Sequence, residues 1–125
     1  MGGALVAALR EALPRAELIA IGTNTTATAA MLKAGAHAGA TGENPVVVAA
    51  RDADVIVGPM GIVLANALMG EVTPKMARAV GESRAKKYLL PVSRCGCVVA
   101  GVQDLPLAEY VRQTVQMIGE SGETL

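Results

Sequence analysis

Five consecutive residues, Gly22-Thr23-Asn24-Thr25-Thr26, set a glycine before four side chains that carry hydroxyl or amide groups. Placed between a strand and a helix, their free backbone amides and hydroxyls could cradle a phosphate. The same residue types are ordinary helix caps, and read alone that is the simpler account. Gly58-Pro59-Met60-Gly61 offers two glycines, which let a backbone approach a ligand closely or simply make a tight strand-to-helix turn. In Pro91-Val92-Ser93-Arg94-Cys95, Arg94 could clamp an anion through two parallel hydrogen bonds and Ser93 could bond a ligand, unless both lie in a solvated loop. The candidate ligand-binding set is therefore Gly22, Thr23, Asn24, Thr25, Gly58, Met60, Gly61, Ser93 and Arg94.

Catalytic residue types are sparse. Cys95 and Cys97 form Cys-x-Cys, whereas a thioredoxin-type site wants Cys-x-x-Cys and a structural zinc wants about four ligands. The expectation is structural thiols, with Cys97 buried in a strand and Cys95 the one candidate nucleophile. His37 has no Cys, Ser or Asp partner at a telling spacing and reads as a surface or edge residue. Glu43 and Asn44 beside Gly42 read first as loop and cap, second as ribose or substrate contacts. There is no intact Gly-x-Gly-x-x-Gly, no Walker loop and no Gly-x-Ser-x-Gly. The first strand that ends in Gly is followed by Thr23-Asn24 and not by an acid positioned for a ribose, which weakens a simple NAD reading, and no metal site is expected.

Composition narrows the partners. In 125 residues the acids and bases balance at 11 each, with no Phe, no Trp and two Tyr. A nucleic-acid binder needs a basic patch, and a single-strand binder also needs aromatic platforms, so nucleic acid is discounted. The apolar stretch near the start is short, is broken by Arg10 and Glu11, and has no basic region before it, so neither a membrane span nor a signal peptide is expected. Together with two closely spaced cysteines this points to a soluble, cytoplasmic chain. A hydrophobic fraction of 52% suffices for a core without disulfide or metal.

The elements that must position these residues follow from periodicity. Ala4–Leu13 carries Leu5, Leu9 and Leu13 at helical spacing and stops at Pro14. Glu17–Gly22 is a short apolar strand; Thr25–Ala34 is a helix with Gly35 as its stop signal; His37–Thr41 is a short edge strand. Asn44 as N-cap with Pro45 in the first position predicts a helix over Pro45–Ala53. Asp54–Gly58 is the clearest strand, and Gly61–Met69 is apolar almost all round, which predicts a buried helix. Thr73-Pro74 starts a helix to about Val80; Lys86–Val92 is a strand; Cys97–Val102 is a second apolar run. Asp104 is the expected cap of a last helix, Leu105 to Ile118, striped by Leu107, Val111, Val115 and Ile118, with a frayed tail over residues 119–125. Helices alternating with short apolar strands predict a single Rossmann-like α/β domain over residues 1–118, its mostly parallel sheet covered on both faces.

Ile21-Gly22-Thr23-Asn24, Met31-Leu32-Lys33-Ala34-Gly35-Ala36, Gly39-Ala40-Thr41-Gly42-Glu43-Asn44, Ile56-Val57-Gly58-Pro59-Met60-Gly61 and Gly70-Glu71-Val72-Thr73-Pro74 together carry a resemblance. So do Leu90-Pro91, Arg94-Cys95, Gly101-Val102 and Asp104-Leu105-Pro106-Leu107. Over nearly its whole length the chain resembles a family of small bacterial proteins grouped only as a domain of unknown function. The resemblance implies a Rossmann-like scaffold with a phosphate-cradling first turn, and no particular chemistry. Members begin with a strand and a turn of Gly-x-Gly-Gly-Gly-Ile-Gly type, with whose last residues Met1-Gly2-Gly3 aligns; the expectation is that this first strand is absent here and its start lies upstream.

Three functions remain open at this stage. The first is a small-molecule-binding protein that takes a nucleotide, dinucleotide or other phosphorylated ligand, NAD(P) among the candidates, at the carboxyl edge of the sheet. The second is an enzyme with Cys95 as nucleophile and Arg94 as anion clamp. The third is a non-catalytic subunit or assembly module, with which a homo-oligomer is compatible.

Overall fold

A computed structural model of the chain describes residues 1–92 and 96–121. Among these the chain is a mixed α/β protein of five α-helices and four short strands, the strands lying in two small parallel sheets. The residues divide into two compact units, 1–41 with 105–125, and 42–104.

The first unit opens with α1 (Gly2–Ala12), which buries Leu5, Val6 and Leu9 on one face at the spacing the sequence predicts. β1 (Ile19–Gly22) follows, then α2 (Thr25–Lys33) and β2 (Ala38–Thr41). β1 and β2 pair in parallel, Ile19 opposite Ala38 through Gly22 opposite Thr41, so α2 is the crossover of a strand–helix–strand unit. The stop signal at Gly35 works as expected. With φ at +118° it occupies the left-handed region, its N–H bonds Leu32 O at 3.1 Å, and the Ala36 N–H bonds Met31 O at 3.1 Å, the paired closure of a Schellman motif. α5 (Leu107–Glu120) packs on α1 and buries Tyr110, Val111, Thr114, Val115 and Ile118.

In the second unit α3 (Glu43–Asp52) leads to β3 (Val55–Pro59), a single 3-10 turn (Met60–Val63), α4 (Pro74–Glu82) and β4 (Lys86–Leu90). β3 and β4 are parallel, Val55 opposite Lys86 through Pro59 opposite Leu90. The core gathers Ala67, Val72, Met76 and Ala77, with Val46, Leu64 and Leu68 packed against them.

Several boundaries differ from the sequence reading. Gly42, not Asn44, is the N-cap of α3, and Glu43, Asn44 and Pro45 fill its first turn, where a missing proline N–H costs nothing. The expected Gly61–Met69 helix is only the 3-10 turn followed by turns. Asn66, Leu68 and Met69 take positive φ (66°, 55° and 56°), which no right-handed helix tolerates, and Met69 stands fully in solvent. Cys97–Val102 forms no strand, and Cys97 is half-buried and free. The last helix starts after Pro106, which is its N-cap, so Asp104 is not, and it runs through Glu120. Leu107, the first residue of the expected stripe, is 39% exposed, while Tyr110 and Thr114 are buried in its place.

Candidate functional site

Gly22 and Thr41 are register partners at the carboxyl ends of β1 and β2, so the two parallel strands finish together. The chain leaves β1 through Thr23 and Asn24 into α2. The Asn24 Oδ1 accepts from the Ala27 N–H at 2.8 Å, which satisfies one of the helix's open donors. Asn24, Thr25 and Thr26 are exposed, and Thr23 is half-buried. The N–H groups of Thr25 and Thr26 are first-turn donors that the helix itself cannot bond. The rim of this unit thus sets two backbone donors and three polar side chains beside the positive end of a helix dipole.

What holds the rim in shape is a buried hydroxyl. Thr28 is 6% exposed, and its Oγ1 lies 3.2 Å from Asn24 O, 3.3 Å from Ala40 O and 2.8 Å from Thr41 Oγ1. One side chain therefore ties the start of α2 to the carboxyl end of β2. Gly22 makes this possible, because a Cβ there would stand 2.1 Å from Thr28 Oγ1 and 2.8 Å from the Thr28 backbone nitrogen. Gly39 serves the opposite strand in the same way, with Thr28 Cγ2 and the Leu32 side chain 3.0–3.2 Å from where its Cβ would be. The sequence reading missed Thr28. A β-branched polar residue inside an alanine-rich helix, four positions after the cap, was the available signal.

His37 is indeed an edge residue, and it has work at the other end of β2. Its N–H donates to Leu18 O at 2.9 Å and its Nδ1 accepts from the Leu18 N–H at 3.0 Å, so it clasps the entry to β1 from both directions. The Arg10 guanidinium lies 2.8 Å from Nε2.

In the second unit Gly58 is buried at the carboxyl end of β3, and a Cβ there would meet Ile62 Cδ1 at 3.0 Å. Met60 and Gly61 begin the 3-10 turn; Met60 is half-buried and Gly61 buried. Glu43 makes a structural contact: its Oε2 accepts from Thr73 Oγ1 at 2.5 Å, while Thr73 Oγ1 accepts from the Met76 N–H at 3.1 Å. Ser93, Arg94 and Cys95 lie outside the described residues. Thr23, Asn24 and Thr25 thus share one rim with Gly22, and Gly58, Met60 and Gly61 share a turn in the other unit.

Among the described residues no helix is long and apolar enough to cross a membrane, and no group of three or more His, Cys, Asp and Glu could hold a metal ion. A family model described as a domain of unknown function (DUF3842) matches residues 1–123. No curated protein and no solved structure matches the chain.

Proposed function

Since the chain belongs to the DUF3842 family, whose description names no activity, we propose from its own geometry that it binds a nucleotide, dinucleotide or other phosphorylated small molecule. The scaffold in this reading is Rossmann-like, and the ligand's phosphate lies at the Gly22–Thr26 rim. One observation carries it: the Thr23–Thr26 turn, exposed over Asn24, Thr25 and Thr26, stands where two parallel strands end and a helix begins, and parallel α/β sheets bind ligands at that place. The first-turn amides of α2 supply the donors, and the helix dipole favours negative charge. The packing of Gly22 on Thr28 holds the turn rigid, so little ordering is needed on binding.

Asn24→Asp tests the reading without weakening the fold. Aspartate caps a helix as well as asparagine does, so α2 keeps its stability. It also puts a full negative charge where a phosphate would sit. Thermal unfolding and isothermal titration with AMP, ADP, NAD and NADP are the measurements. The unaltered chain is expected to gain several degrees from at least one nucleotide, and Asn24→Asp to keep its own melting temperature while binding that nucleotide at least tenfold more weakly. Equal affinity in the two proteins, or no stabilisation by any of the four, would refute the proposal.

A further inference from the structure

Between α3 and α4 the second unit has a groove of about 430 Å³, lined by Val47, Ala50 and Ala79 along its apolar floor and by Arg51, Lys75, Arg78, Arg84 and Glu82 on its polar margin. Acids and bases balance over the whole chain at 11 each, yet here four cations face one carboxylate. That carboxylate is already engaged, since Arg78 Nε donates to Glu82 Oε1 at 2.9 Å. Arg51, Lys75 and Arg84 have no side-chain hydrogen bond or ion pair among the described residues. Glu43, in the first turn of α3, is held by Thr73.

Local folding does not account for this charge. Arg51 in the last turn of α3 suits the negative end of that helix, but Lys75 sits in the first turn of α4, where no acid is present and a cation opposes the helix dipole. The margin is also built on a fixed frame. Ser83 Oγ donates to Ala50 O at 2.6 Å and accepts from the Ala85 N–H at 3.1 Å, joining the ends of α3 and α4. Lys87 Nζ donates to Ser83 O at 2.8 Å, which anchors the same turn to β4. Three unengaged cations thus come from the end of one helix, the start of another and the loop after it, around a frame that does not need to be ordered by a ligand.

We propose that this groove binds a small ligand through two or more linked phosphates. A single carboxylate would neutralise one of the three cations; a pyrophosphate group has enough charge and acceptors to engage Arg51, Lys75 and Arg84 together. The volume is within the range of small-molecule sites. The lining has no aromatic side chain on which a base could stack, so the phosphates and not a nucleic-acid strand are what the groove recognises. The groove is built from residues of the second unit alone, and the proposal does not rest on the Gly22–Thr26 rim.

The experiment is titration of the intact chain with inorganic pyrophosphate at 150 mM salt, followed by calorimetry and by amide NMR shifts. The expected result is saturable one-to-one binding with shifts at Ala50, Ala79 and Ser83. Arg51→Gln with Arg84→Gln, both exposed positions, is expected to weaken binding at least tenfold, as is Lys75→Gln alone to a smaller degree. Arg15→Gln, which removes one charge elsewhere, is expected to change nothing. Shifts confined to residues 23–27, absence of saturation, unchanged affinity in the double variant, or displacement of pyrophosphate by a poly-glutamate peptide at lower concentration would each overturn the proposal.

Discussion

Single atoms decide the shape of the rim. A methyl group added at Gly22 would collide with the hydroxyl of Thr28, with its backbone nitrogen and with Asn24 O, the last two at 2.8 and 2.9 Å. Overpacking of this kind costs typically 1–3 kcal/mol, and two of the three obstacles are backbone that cannot rotate away. Gly22→Ala is therefore expected to lower unfolding stability by about 3 kcal/mol in urea denaturation. Adding Thr28→Ala is expected not to restore it, because the backbone collisions stay; full rescue would show that the side chain alone was the obstacle. Glu109 gives a second test at this scale. Hydrogen bonds from Arg112 and then Gln113, with the Arg112 charge, lower its carboxyl to about 2, against slight burial acting the other way. A depressed carboxylate contributes stability that is present above the ordinary carboxylate range and is lost as pH falls through the folded value. The carbon-13 titration of the Glu109 carboxyl is expected to stay flat through pH 4 and to inflect only near the value given by these bonds. Arg112→Gln is expected to move the inflection up, and added salt to move it partway, since the pair is exposed to solvent.

At the scale of elements, two helices are fixed at their starts by side-chain caps, α2 through Asn24 and α4 through Thr73. α4 begins with a reciprocal cap in which Thr73 Oγ1 accepts from the Met76 N–H and the Met76 sulfur accepts from the Thr73 N–H at 3.3 Å. Thr73 Oγ1 also donates to Glu43, so this residue fastens the first turn of α3 to that of α4. Thr73→Ala removes the cap and leaves Glu43 without its donor. The expected loss is about 1–2 kcal/mol, with amide exchange quickening at Lys75 and Met76 first. A loss spread evenly over the unit, with no local quickening, would mean that the cap is not what anchors α4. By contrast the chain between Val63 and Thr73 has no such end signals. Its hydrophobicity brings Ala67 and Val72 into the core, but through turns with left-handed Leu68 and Met69 and not through a helix.

At the scale of the molecule, the first unit is closed by its two distant ends. α5 lies on α1, and Ile118, at 2% exposed, is among the most deeply buried side chains of the chain. Truncating a buried isoleucine to alanine costs about 2–5 kcal/mol. Ile118→Ala is accordingly expected to reduce hydrogen-exchange protection in α1 as well as in α5, though the two are far apart in sequence. Protection lost in α5 alone would show that the helix merely covers the unit and does not complete it. Contacts between the ends form only after a long loop is closed, so this unit should also fold more slowly than its helix content suggests.

The sequence by itself determined the element types nearly throughout: all five α-helices, all four strands and the working of Gly35 and Thr73 follow from periodicity and end chemistry, which are local. It also placed the Gly22–Thr26 turn between a strand and a helix, where Asn24 caps α2. Only the tertiary structure decided where apolar runs were not elements. Gly61–Met69 is hydrophobic without being regular, since burial rewards apolar surface whatever its backbone shape. Cys97–Val102 is neither regular nor buried, with Val98 92% exposed. Tertiary structure also gave Thr28 its role, since its hydroxyl meets Ala40 and Thr41 at the end of β2, 12 and 13 residues further along the chain, as well as Asn24 in the turn before its own helix. The cationic groove had the same origin: Arg51, Lys75 and Arg84 are unremarkable along the chain, and become a site only when α3 and α4 are drawn side by side through Ser83.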